Sequence, residues 1–105
     1  MTDVHTLLTR NLKKYRQILG LSQAALAEKI NSSTTFIGNI EIGKRFPSSK
    51  NLDRLVDALG VKAADLFAEE DETEAQTRYT ARQERKAQLE REVMESISKA
   101  FSEGD

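Results

Sequence analysis

Two short apolar-periodic segments stand almost back to back in this chain, and their closeness constrains the fold more than any other feature. In residues 23–30, Leu26 and Ile30 fall on one helical face, with Ala27 small enough to let another helix approach closely. In residues 34–41, Ile37 and Ile40 repeat the pattern, and only Asn31, Ser32 and Ser33 separate the two segments. Asn31 is a residue that tolerates left-handed backbone. Ser22 and Ser33 stand where N-caps belong, since a hydroxyl there accepts a free amide from the next turn. The stretch Leu21–Lys44 is therefore predicted to form two short helices joined by a tight turn, the second presented outward.

The same periodicity continues on both sides. Leu8, Leu12, Tyr15 and Leu19 recur at helical spacing from about Thr6, and Gly20 stops that helix. Arg10, Lys13, Lys14 and Arg16 lie off or beside its apolar face. Residues 1–5 are expected to fray, with His5 a disordered surface residue. After Gly43 comes a basic loop, Lys44, Arg45, Phe46 and Pro47. Ser48 can cap a fourth helix whose face is Leu52, Leu55, Val56 and Leu59; Gly60 ends it and Val61 packs back on it. Residues 63–67 fit a final short helix, with Leu66 and Phe67 closing the core. No alternating β-branched run and no hairpin dipeptide signals a strand. The expectation is an all-α, compact five-helix domain over residues 1–68.

Charge divides the chain at the same place. The formal net charge of −1 conceals ten Lys/Arg against six Asp/Glu in residues 1–68, a balance of +4, and six against eleven in residues 69–105, a balance of −5. A basic domain carries an acidic tail, which points to different partners for the two parts. Residues 69–75 contain the acidic run EEDETE and are expected to be a linker. From Gln76 to Phe101 the sequence has neither glycine nor proline and favours helix. Leu89, Val93, Ile97 and Phe101 recur every four residues with Met94 and Ala100 alongside, and Gly104 ends the run. Residues 76–105 are thus predicted to be a C-terminal amphipathic helix, a dimer or partner face.

Several function classes are excluded. There is no cysteine, so neither disulfides nor thiolate metal sites are available, and the one histidine makes a zinc or histidine-based catalytic centre untenable. No serine has a base in a nucleophile arrangement. No enzyme activity, metal or cofactor is expected. No apolar run approaches the roughly 18 residues of a membrane span, and no basic-then-apolar leader opens the chain; a cytoplasmic, nucleoid-associated protein without membrane contact is expected.

The run of Arg16, the LSQ of 21–23, Leu26-Ala27, Ile40-Glu41, Gly43-Lys44, Pro47, Leu52, the ALGV of 58–61 and Asp65-Leu66-Phe67 resembles the lambda-repressor-like helix-turn-helix family of phage repressors, Cro proteins and restriction–modification controller proteins. The resemblance spans residues 7–67 and leaves the tail uncovered. Two positions depart from it: Ser32 stands where an apolar plug is usual and Asn31 where glycine is usual, which is expected to weaken the packing of the turn. The resemblance implies a sequence-specific, double-stranded-DNA-binding regulator of transcription, and a repressor is expected. It also implies a phosphate contact and a bracing role for Gln23, and a salt bridge between Arg16 and Glu41 as the structural brace.

Physical chemistry assigns the remaining roles. A short helix enters the major groove of B-DNA, where asparagine pairs with adenine and threonine meets a base edge or a thymine methyl. With Ile37 and Ile40 turned inward, Thr34, Thr35, Phe36 and Asn39 are the candidate base readers. Gln23 and Ser33 lie at helix N-termini, which attract phosphate; Lys44, Arg45, Arg10 and Lys13 could grip the backbone without reading sequence. A single module reads few base pairs, so a homodimer on a two-fold related operator is expected, with Leu89, Val93, Met94, Ile97 and Phe101 as the dimer face. The alternative is an antitoxin or other autoregulator whose C-terminal helix docks on a second protein.

Overall fold

The computed structural model describes residues 3–103 and contains six helices: α1 (Val4–Ile18), α2 (Gln23–Lys29), α3 (Thr34–Glu41), α4 (Ser49–Leu59), α5 (Ala63–Leu66) and α6 (Glu72–Glu103). The chain divides into two compact units, one ending at Glu70 and one beginning at Asp71. The helix stop assigned to Gly104 and the first two residues of the frayed N-terminus lie outside the described residues.

In the first unit the predicted inward residues make the core. Leu8, Leu12 and Tyr15 of α1, Leu26 and Ala27 of α2, Ile37 and Ile40 of α3, and Leu55, Leu59 and Leu66 are buried, as are Ile30 and Val61 in the turns. Leu19, Leu52, Val56 and Phe67 remain half-buried at its edge. Two polar side chains also go inside and tie the first helix to the end of the unit. The Asn11 amide donates to the carbonyls of Leu66 and Ala68, each at 2.9 Å, and the Lys14 ammonium donates to the Glu70 carbonyl at 2.9 Å. Asn11 thereby satisfies the carbonyl of Leu66, the last residue of α5, and with Lys14 it also holds the segment that follows.

Four helix ends close alike. Gly20, Asn31, Gly43 and Gly60 all have positive φ, at 70°, 55°, 80° and 64°. At each, the amide of that residue bonds to the carbonyl three back and the next amide to the carbonyl five back: Gly20 to Gln17 and Leu21 to Arg16, Asn31 to Glu28 and Ser32 to Ala27, Gly43 to Ile40 and Lys44 to Asn39, Gly60 to Asp57 and Val61 to Val56. This is the paired-bond C-terminal stop that glycine usually supplies. Asn31 makes the same two bonds, and Ser32 is exposed with its amide held 2.8 Å from the Ala27 carbonyl. The turn therefore closes through backbone bonds, without an apolar plug.

The N-terminus differs from expectation. Asp3 caps α1, its carboxylate accepting from the Thr6 amide at 2.8 Å, and this bond holds its carboxyl below the usual range. The helix consequently begins at Val4 instead of Thr6. His5 is a half-buried residue within it, its ring edge-on to Phe46 at 5.5 Å between centroids and 81° between planes.

In the second unit, α6 runs for 32 residues, a length of about 48 Å. It starts inside the acidic run expected to be a linker. The Asp71 carboxylate accepts from the Glu74 amide at 2.7 Å, and Glu72 and Glu74 occupy the first turn, where negative charge complements the helix dipole. Leu89, Val93, Met94, Ile97 and Phe101 are all exposed.

Candidate nucleic-acid interface

The geometry of α3 follows from what holds it. The Ser33 hydroxyl accepts from the Phe36 amide at 3.1 Å and so caps the helix. Ile37 and Ile40 are fully buried and Glu41 is buried beside them. Helical periodicity then leaves Thr34 and Thr35 exposed and Phe36 and Asn39 half-buried on the outer side.

A polar brace fixes the helix from behind. Arg16 of α1 meets Glu41 two ways, Nε to Oε2 at 2.6 Å and Nη2 to Oε1 at 3.0 Å. Its third arm, Nη1, donates to the Leu21 carbonyl at 2.8 Å. The hydrogen bond to Glu41, aided by its charge, raises the Arg16 pKa against the opposing effect of burial. Gln23, the first residue of α2, donates from Nε2 to Glu41 Oε1 at 3.2 Å. Its side chain lies over Gly38, where an added Cβ would sit 3.7 Å from Gln23 Oε1. The Thr9 hydroxyl donates to the Ile40 carbonyl at 3.1 Å. Glu41 thus joins three helices, and its three donors keep a nearly buried carboxylate satisfied.

Beyond α3 the chain is tied back to it. The amides of Lys44 and Arg45 both donate to the Asn39 carbonyl, at 2.9 and 3.2 Å. Both side chains are exposed, and the Arg45 guanidinium stands 5.6 Å from the centroid of the Phe36 ring. Arg45 is therefore beside the outer face of α3. Arg10 and Lys13 are exposed on α1, and Lys13, four residues after Thr9 and three before Arg16, lies on the same side of that helix as those two.

Sequence reasoning missed Thr9, although it lies seven residues before Arg16 and hence on the same side of α1. The bracing role that the resemblance implies for Gln23 takes the form of its bond to Glu41, whereas the Arg45–Phe36 contact was missed. That contact had no periodic signal, because a loop brings the two residues together.

A helix-turn-helix family model matches residues 12–66. The chain belongs to the helix-turn-helix family of DNA-binding transcriptional regulators. Among its relatives, the control protein C.MunI of a Mycoplasma species is 34% identical over 70 residues, covering 66% of this chain and 95% of the relative. The immunity repressor protein of Bacillus phage phi105 is 30% identical over 97 residues, 91% of this chain and 65% of the repressor, whose length this chain therefore only partly spans. The crystal structure of the restriction–modification controller protein C.AhdI from Aeromonas hydrophila matches with a TM-score of 0.57 at 30% identity, covering 60% of this chain and 96% of that one. The helix-turn-helix match ends at the last residue of α5. It contains α2, α3, the whole Arg16–Glu41–Gln23 brace and the Lys44–Arg45 loop, and leaves α6 outside. Among the described residues no helix is long and apolar enough to cross a membrane.

Proposed function

We propose that this helix-turn-helix regulator is a repressor that binds a two-fold related operator as a homodimer, with α3 and its cap Ser33 in the major groove. The observation that carries this is the outer face of α3: Thr34, Thr35 and Asn39 stand outward on a helix fixed from behind by Glu41. Small polar side chains let a helix approach base edges closely, and asparagine and threonine both have partners there. Gln23, Ser33, Lys44 and Arg45 supply phosphate contacts, as do Arg10 and Lys13 from α1. The name of the phage immunity repressor favours repression. The role is non-enzymatic and cofactor-free, in the cytoplasm on the nucleoid.

In the dimer, half-site centres fall about one helical turn apart, roughly 34–36 Å, and specific affinity lies at about 10⁻⁸–10⁻¹¹ M at physiological salt. Selection of bound sequences from random DNA with the full-length chain tests the proposal. Recovery of a two-fold motif supports it; recovery of no motif sinks it. On the selected site, Thr35→Ala and Asn39→Ala should each lose sequence preference.

The exposed face of Leu89, Val93, Ile97 and Phe101 supports a second copy of α6 as its cover, because apolar side chains at helical spacing are otherwise left in water. The same face favours one other reading, an autoregulatory antitoxin whose α6 docks on a different protein. Sedimentation of the purified chain separates them: a dimer that dissociates when Leu89 and Ile97 are replaced supports pairing, and a monomer at all concentrations supports a separate partner.

A further inference from the structure

We propose that Phe36 is a positioning residue for Arg45, and that Arg45, held in this way, is the cation that meets acceptor atoms of DNA along the outer face of α3. The inference rests on α3 lying against DNA. Phe36 stands half-buried among the outward residues of α3. Its surroundings give it work different from theirs.

Gly43, at φ 80°, turns the chain sharply at the end of α3. The amides of Lys44 and Arg45 are then both anchored on the Asn39 carbonyl. With its backbone fixed there, Arg45 reaches back over the helix until its guanidinium is 5.6 Å from the Phe36 ring centroid, within the range of a cation–π contact. Phe36 sits in the first turn of α3, next to the exposed Thr35. Its ring is half-buried and its amide is held by the Ser33 cap, so the platform is itself fixed at its base. An arginine on a free loop loses several rotamers on meeting DNA; one already resting on a ring loses fewer, and its five donors start beside the groove. A ring that carries the cation is also shielded by it on that face, which leaves Phe36 less surface for a thymine methyl.

The test is a double-mutant cycle on the full-length chain, using the DNA recovered by random-sequence selection. Arg45→Gln is expected to weaken binding about ten-fold. Phe36→Leu should weaken it about two- to five-fold, the worth of an exposed cation–π contact. In the Arg45→Gln background, Phe36→Leu should change affinity by less than about 1.5-fold, because its client is gone. Phe36→Tyr offers the same ring face and should bind as wild type. If Phe36→Leu costs the same with and without Arg45, or if Phe36→Tyr fails as badly as Phe36→Leu, the ring touches DNA itself and the proposal is overturned.

Salt dependence names the acceptor: loss of a phosphate contact in Arg45→Gln lowers the slope by about 0.9, whereas loss of a guanine-edge contact relaxes one base preference and leaves the slope in place. Thermal unfolding of each variant separates binding from folding; Arg45 is exposed, so Arg45→Gln carries the cycle without threatening the core. Thr35→Ala and Asn39→Ala keep the underlying assumption apart. If both bind as wild type, α3 is not at the DNA; if both lose affinity while the Phe36–Arg45 cycle is additive, only the positioning role falls.

Discussion

Helices α3 and α6 are opposite answers to one physical problem. Each has an apolar stripe at helical spacing. In α3, eight residues long, Ile37 and Ile40 are completely buried, and a nearly buried Glu41 is held by side chains from two other helices. In α6, 32 residues long, Leu89, Val93, Ile97 and Phe101 remain between 46% and 81% exposed. A helix as short as α3 has little stability of its own and exists because neighbours hold it. The longer helix has enough local propensity to form with its stripe uncovered. An apolar stripe therefore says that a helix will pack; the turns at its ends say on what.

The largest predicted effect breaks or keeps this contrast directly. Leu26→Ala, in the core behind α3, should destabilise the first unit by about 2–5 kcal/mol. The same substitution at Leu89 should change unimolecular stability by less than about 0.5 kcal/mol and act only through association. Urea unfolding monitored at several protein concentrations checks both. A concentration-independent loss at Leu89 matching that at Leu26 would show α6 to be core-bound after all.

Glu41→Ala follows, at about 2–4 kcal/mol, because it leaves the Arg16 guanidinium, with 11% of its side chain exposed, beside a vacated carboxylate site. Replacing Arg16 and Glu41 together by apolar residues should recover part of the stability while loosening α3. Recovery of folding with loss of DNA preference would show that the brace serves orientation as much as stability. No such pair is expected to matter in α6, whose polar contacts, such as Gln88 with Glu92 at 3.0 Å, lie on its exposed surface.

The contrast also explains what was legible. The first unit could be read from its sequence because four of its five helices end at a residue suited to a left-handed stop, and Gly20, Asn31, Gly43 and Gly60 adopt one in the structure. Within such short segments the inward residues are decided by periodicity, which also identified the outer face of α3. The family resemblance, and nothing in the local pattern, pointed to the Arg16–Glu41 pair. Contacts made through loops and by polar groups going inside left no trace: Arg45 on Phe36, Asn11 on the carbonyls of Leu66 and Ala68, and Lys14 on that of Glu70. Each depends on where a turn delivers the chain. The start of α6 falls inside the expected linker because acidic residues, which in a loop only keep it solvated, at a helix N-terminus stabilise the first turn.

Capping provides a smaller test. Ser33→Ala removes the acceptor for the Phe36 amide and should cost about 1 kcal/mol. Since the cap holds the first turn of α3, where Thr34, Thr35 and Phe36 lie, DNA affinity should fall together with the unfolding midpoint. In α6 the equivalent acceptor is Asp71, which bonds the Glu74 amide; Asp71→Ala should fray that helix, seen as lost helical circular dichroism, and leave DNA preference alone.

The smallest effect lies at the turn between α2 and α3. Asn31 holds φ 55° where the other stops use glycine, and its amide and that of Ser32 make the two stopping bonds. In Asn31→Gly the relief of the side chain's steric cost opposes the greater freedom of the unfolded chain. The unfolding free energy should therefore move by no more than about 0.5 kcal/mol. Asn31→Ala keeps the steric cost and loses asparagine's tolerance of this region, so it should cost about 0.5–1 kcal/mol. Denaturant midpoints for the pair decide whether the angle at this one residue holds the turn. If alanine is accepted as readily as glycine, packing from α2 and α3 sets the turn and residue 31 merely follows. Short helices would then be placed by their faces alone, and the distinction drawn from α6, whose face is complete but places nothing, would have to be abandoned.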